Sequence, residues 1–308
     1  MRLLSRQHGL SLIELMVAIT IGLILSAGVM QIFMSNKRSY LLQSELSRLQ
    51  ENGRFAIQIM GKDVRLSDFW GCHGDLSNVS SDLDDTGTGY MNFTTGGVSG
   101  TDDGTNPDTL TLQGGYASGI TIETPYMPTP SSSLHVSAGA DFAAGDILMV
   151  SDCTAADILQ ATNVNTSGAT SQINHNTGVP GITPGNKTGD LSKTYQGEAQ
   201  VYKVQRITYS IQTGTSGEPS LFRNINGSSQ ELIEGVEDMQ ILYGEDTDGD
   251  DSANRYLSAN DAGLDMTRVV SLRITLTLRT ENTNLSNDGD GRMRKTFTST
   301  IAIRNRMS

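Results

Sequence analysis

Three groups of residues have types and spacing suited to chemistry. Asp246, Asp248 and Asp250 alternate in "EDTDGDDSANRYL" at the first, third and fifth positions of a calcium loop, where hard carboxylate oxygens would surround a hard cation. The pattern breaks at the sixth position, where Asp251 replaces glycine, and at the twelfth, where Leu257 replaces glutamate. Calcium is the candidate cation, and a solvated acidic turn is the alternative. Cys72 and Cys153 are the only cysteines, read either as two buried free thiols or as one disulfide. After an export signal the disulfide is the expected form, closing a loop of about 80 residues for up to about 4.5 kcal/mol in the chain-entropy model. Adjacent His73 does not complete a zinc set. The third group is Glu14 alone, the single charge in an apolar run, "LSLIELMVAITIGLILSAGVMQIFM", over residues 10–34. A carboxylate in lipid costs about 2.5–3.5 kcal/mol even on lenient insertion scales, so it needs a partner.

Other chemistries find little support. There are four histidines: His8 in the leader, and His73, His135 and His175 in loop-like sequence without a nucleophile beside them. No phosphate-binding glycine loop follows a strand, and no internal repeat occurs. An enzyme is not expected. Lys and Arg number 22 against 34 Asp and Glu, a net charge of −12. Such a surface repels a phosphate backbone, which argues against direct nucleic-acid binding.

The elements that must carry these residues follow from the apolar pattern. Residues 10–34 as a helix at about 1.5 Å per residue extend about 37 Å, enough to span a bilayer. Arg2 and Arg6 precede the run, which suits a cytoplasmic N-terminus. The run is too long for a secretory signal peptide. The first proline is Pro107, so nothing breaks the helix after the membrane. Leu42, Leu46, Leu49, Gly53, Ile57, Met60 and Val64 step by three and four, an apolar seam with a gap at Gly53. One helix from about Leu10 to about Leu66 is predicted, membrane-spanning in its first half and amphipathic in its second.

After Trp70, expected partly buried near Cys72, the composition turns to strands and polar loops. Strand-like runs occupy 108–113, 120–124, 146–152, 201–211, 220–225, 236–244, 268–280 and 295–305. In the longest, Val270, Leu272, Ile274, Leu276 and Leu278 share one face; Phe297, Ser299, Ile301 and Ile303 share one face of the last. "ENTNLSNDGDGRM" between them reads as a polar turn. Residues 77–108 and 163–198 are too long for ordinary connections and read as tolerated insertions, with decorated surface loops that touch partners as the alternative. The fold class is α+β: the long helix, its seam covering a mainly antiparallel sheet.

"HGLSLIELMVAITIG" resembles the class III signal of type IV pilins and pseudopilins: a short basic leader ending in Gly9, then an apolar stretch with Glu at its fifth position. The resemblance implies cleavage by a prepilin peptidase between Gly9 and Leu10 and N-methylation of Leu10. It implies four parts: a leader 1–9, a transmembrane and assembly half 10–34, an amphipathic half 35–67 and a periplasmic head 68–308. Glu14 would then meet the Leu10 amine of a neighbouring subunit. "ENGRFAIQIMGKDVRLSDFWGC", "GDILMVSDC", "ELIEGVEDMQILYGEDTDGD" and "TIAIRNR" resemble the PilW family of type IV pilus minor pilins, with Met266 where members often carry tryptophan. That resemblance implies a role in starting pilus assembly and a place in the tip complex, with twitching and attachment downstream. The implied partners are other minor pilins and the major pilin through the N-terminal helix, the prepilin peptidase, a tip adhesin and the inner membrane. The nearest alternative is a minor pseudopilin of a type II secretion system. From another class comes a bitopic membrane-anchored protein whose head captures a ligand or calcium.

Overall fold

The first strong local signal in the chain is the absence of any helix breaker before residue 67, and one helix results. A computed structural model describes residues 11–72, 76–93, 96–137, 141–286 and 289–307. Helix α1 runs Leu12–Leu66 without interruption. It stops where Asp68 takes a left-handed backbone, φ 61°, and Ser67 turns its hydroxyl back to the Val64 carbonyl at 2.8 Å.

The described residues form two compact units. One holds the chain up to Glu51 together with Thr280–Met293; the other holds Asn52–Arg279 and Arg294 onward. In the first, the apolar half of α1 is exposed along its whole length and is long and apolar enough to cross a membrane. The two ends of that second stretch are held together by Thr280 N–H donating to Met293 O at 2.9 Å. Arg48 pairs with Glu281 at 2.7 Å, and Asn282 Nδ2 donates to Glu45 Oε1 at 2.6 Å.

The second unit is mostly antiparallel sheet. Its strands are β1 (Val79–Ser81), β2 (Val98–Asp103), β3 (Asn106–Thr121), β4 (Leu134–Ser137), β5 (Ile147–Ser151), β6 (Ala156–Gln160), β7 (Asn163–Ser167) and β8 (Thr170–Asn174). They continue as β9 (Gln200–Thr213), β10 (Pro219–Ile225), β11 (Ser228–Glu234), β12 (Val236–Glu245), β13 (Arg255–Leu257), β14 (Val269–Arg279) and β15 (Arg294–Ala302). β9 organises the largest sheet: β3 pairs along one edge, β5 and β10 along the other. β11 extends β10, β2 extends β3, and β6 extends β5. β1 joins β6 in parallel; every other strand pair described is antiparallel. A second sheet is ordered β13-β12-β14-β15, and a third β4-β8-β7. The first two sheets meet through a side chain: Asp108 on β3 accepts the Ile241 N–H of β12 at 2.7 Å.

The predicted faces hold. Val270, Leu272, Ile274, Leu276 and Leu278 are all buried, and Ile301 and Ile303 with them. Within this unit α1 covers that face at glycines. A Cβ at Gly53 would overlap the Phe297 ring, and Gly61 sits against Ile301. The gap in the seam is therefore the seat of an aromatic ring. The seam itself is rotated slightly from the prediction: Ala56 is fully buried and Ile57 only half-buried.

The two long polar stretches differ most from expectation. Residues 77–108 contain β1, β2 and the start of β3; residues 163–198 contain β7 and β8. They are interlocked with each other rather than loosely inserted. Asp82 accepts from Thr188 N–H at 2.9 Å, Thr188 Oγ1 at 2.6 Å and Gly189 N–H at 2.9 Å. Lys187 N–H returns to Asp82 O at 2.6 Å, and Leu83 bridges Asn186. Alternation in β7 and β8 is carried by Asn, Thr, Ser and Gln, so hydrophobic pattern alone misses both strands. The predicted run 120–124 leaves the ladder after Thr121, where the chain turns at Pro125.

Candidate functional site

The first candidate site is the start of α1. Gly9 and Leu10 lie outside the described residues. Ser11 and Glu14 form a reciprocal pair: Ser11 N–H donates to Glu14 Oε2 at 2.9 Å, and Glu14 N–H donates to Ser11 Oγ at 3.2 Å. This is a capping box, S-x-x-E, which satisfies N–H donors that a helix start leaves open. Glu14 is thus held locally in the single chain. The capping-box spacing is present in the sequence, but it lies inside an apolar run whose length points to lipid.

The second is the junction between helix and head. Cys72 and Cys153 form a disulfide, with Cα atoms 5.0 Å apart, spanning 81 positions. Trp70 is fully buried, more than expected, edge-on to Phe93 at 5.0 Å between centroids. Its indole N–H donates to Asp68 Oδ1 at 2.6 Å. Asp68 also accepts from the Gly97 N–H and pairs with Arg306, whose Nη1 donates to Met266 O at 2.5 Å and Val269 O at 2.9 Å. One buried carboxylate thereby ties the end of the helix, β2's approach and the end of the chain. Asp63 does the same one turn earlier, accepting Tyr209 Oη at 2.6 Å and Arg223 Nε at 2.7 Å. Burial, then the Asp63 charge, pushes the Tyr209 phenol well above its ordinary range. Sequence spacing does not mark Asp63, Asp68 and Arg306 as anchors; a carboxylate on the apolar side of the helix is the available signal. Beside the disulfide, Asp152 receives Lys193, Thr154 and Ala155. Desolvation opposes ionisation there, but those donors outweigh it and hold the carboxyl at about 2.

The third is the acidic loop. Asp246, Asp248 and Asp250 do come together, each offering an oxygen within 4.8 Å of the others. Asp246 accepts the N–H groups of Gly249 at 2.6 Å, Asp251 at 2.9 Å and Asp248 at 3.1 Å, which hold its carboxyl below the usual range. Asp248 accepts from Asn254 Nδ2 at 3.2 Å, and Asp250 from Ser252 N–H at 2.9 Å. Asp251 takes φ 64°, the left-handed turn that glycine usually supplies at that loop position. The loop is therefore folded by its own hydrogen bonds. His135 and His175 lie on and after the third sheet, His175 Nε2 at 2.9 Å from Ser132 O. His73 lies outside the described residues.

An uninterrupted helix with an exposed apolar half, joined to a mostly antiparallel head, is a pilin-like α+β arrangement. Residues 208–291 match the family model described as Type IV Pilus-assembly protein W, and residues 4–30 match the Prokaryotic N-terminal methylation motif. The chain thus carries a PilW-family region from β9 to the loop before β15, and a prepilin signal at its start. Searches of curated proteins and of solved structures each return no match.

Proposed function

We propose that this protein is a structural minor pilin that helps start type IV pilus assembly and takes a place in the tip complex, supporting twitching and attachment. The observation that carries the reading is the coincidence of the methylation motif, centred on Gly9, Leu10 and Glu14, with a PilW-family head region. On this reading a prepilin peptidase cuts after Gly9 and the new Leu10 amine is methylated. The chain waits in the inner membrane with its head in the periplasm, then joins minor and major pilins through α1. Docking beside a neighbour gives Glu14 a cationic partner in lipid, the neighbour's Leu10 amine. A carboxylate already oriented by Ser11 exchanges a neutral N–H donor for a charged one, which is stronger in a medium of low dielectric.

Two measurements test this. Mass spectrometry of the mature chain should find N-methylated Leu10 at the start; an intact leader supports the bitopic anchor instead. Glu14→Ala should cut surface fibres in a deletion strain while membrane levels of the protein stay normal; wild-type fibre counts would remove the assembly role. A pseudopilin of a secretion system shares the signal and the helix, and is favoured if secretion rather than piliation fails on deletion. Calcium at Asp246, Asp248 and Asp250 is a separate proposal, supported by their convergence. Calorimetry should show heat with calcium that Asp248→Ala abolishes; no heat in either protein removes the site.

A further inference from the structure

β15 is the outer strand of the second sheet, nine residues long, and it holds neither glycine nor proline. Its backbone parity can be read from its ends. Ile303 N–H donates to Val270 O at 2.9 Å, and Thr280 N–H donates to Met293 O at 2.9 Å. In the antiparallel register with β14, the odd-numbered residues therefore direct their backbone groups inward. Thr296, Thr298 and Thr300 direct theirs outward, and among the described residues these N–H and C=O groups have no protein partner. Natural sheets blunt such edges with charge, proline, bulges or short length. β11 carries Glu231 and Glu234, β2 carries Gly100 and two aspartates, and β1 and β13 are three residues long. β15 has only Arg294 and Lys295, both at its first turn onto the sheet.

Arg294 is paired with Glu237, but three further cations stand near the two ends of this strand, in a chain of net charge −12. Lys295 Nζ lies over the Phe297 ring, 5.6 Å from its centroid. Arg65 Nη1 and Ile301 Cδ1 both lie 3.4 Å from a Cβ built on Gly61, so this guanidinium stands beside the far end of the strand. Arg304 follows two residues after β15 and is exposed. None of Lys295, Arg65 and Arg304 makes an ion pair among the described residues.

We propose that the outer edge of β15 receives an extended strand of a different protein, with acidic residues at its two ends, added antiparallel to the sheet through the outward backbone groups of Thr296, Thr298 and Thr300. Main-chain pairing gives the affinity and the flanking cations give the choice of partner. The same cations disfavour a second copy. Self-pairing centred on Thr298 sets Lys295 of one copy opposite Ile301 of the other, and so beside its Arg65. The inference is independent of the pilin reading, since it concerns the head edge alone.

The test uses the full chain in detergent micelles and two fluorescent nine-residue peptides of alternating valine and serine, one ending in glutamates and one in lysines. The acidic peptide should bind at least about tenfold more tightly than the basic one, a difference that one or two charge contacts supply. Thr298→Pro removes an outward donor without touching the β14 ladder and should weaken acidic-peptide binding by about tenfold or more. Lys295→Glu with Arg65→Glu should invert the preference. Amide exchange at Thr296, Thr298 and Thr300 should slow on adding the acidic peptide, a readout that needs no variant. Unchanged exchange at those three amides, or equal binding by folded Thr298→Pro, overturns the proposal. A dimer in sedimentation that Thr298→Pro abolishes overturns the choice of occupant.

Discussion

Carboxylates inside the head carry opposite pH dependences, and each follows from its neighbours. Asp152 is held at about 2, below its unfolded value, so its contribution is complete above about pH 4–5 and is lost as pH falls toward 2. Wild type should lose up to about 2 kcal/mol over that window relative to Asp152→Asn, measured by urea unfolding at a series of pH values. Asp108 behaves the other way. Burial raises its carboxyl, and one of its oxygens has no partner among the described residues. The charged form is then disfavoured in the fold, so stability falls as pH rises through its titration. Asp108→Asn keeps an acceptor for Ile241 N–H and should stabilise the protein at pH 7 but not at pH 4, read from thermal melts at both. Asp63→Asn leaves the half-buried Arg223 without its charge partner and should cost about 1–3 kcal/mol. The Asp152 turn is partly written in the local sequence, since Thr154 and Ala155 donate to it, but the Asp63 environment is not. Asp63 meets Tyr209 and Arg223 across 146 and 160 positions, and only the fold brings them together.

At the scale of elements, α1 was the most legible part of the molecule and β7 and β8 the least. A helix with no breaker and a regular seam declares itself through periodicity that packing then uses. The seam also marked Gly53 as a gap, and the Phe297 ring fills it. Gly53→Ala should therefore destabilise the head by about 1–3 kcal/mol despite alanine's better helix propensity, since the added methyl overlaps the ring. Gly53→Ala combined with Phe297→Ala should lose less than the two changes summed, the signature of two residues sharing one space in a double-mutant cycle. β14 and β15 were legible for the same reason as the helix, with one face apolar and the other rich in threonine. Polar strands such as β7, with sequence NVNTS, lack that contrast; backbone pairing with β8 makes them strands. At the start of α1, Ser11 and Glu14 fit a capping box and a lone charge in an apolar run at once, so one local pattern masks the other.

Over the whole molecule, the disulfide joins the end of the helix to the β5–β6 turn across 81 positions. Replacing Cys72 and Cys153 by serine should reduce stability by up to about 4.5 kcal/mol, read as a lower denaturant midpoint, and the loss should match that of wild type under reductant. The pairing was legible once an export signal was in view, because cysteine use follows compartment. The signal and the class of fold were legible too, since both are written in contiguous stretches. What the middle of the chain does was not, because its organising contacts run between segments about a hundred positions apart. Asp82 there binds the backbone of Thr188 and Gly189 as closely as a strand binds its neighbour, and Leu83 bridges Asn186. These two segments are consequently hereditary companions. Transplanting either one alone from a related chain strands a buried acid opposite foreign backbone, so recombination that preserves a working head must move both at once.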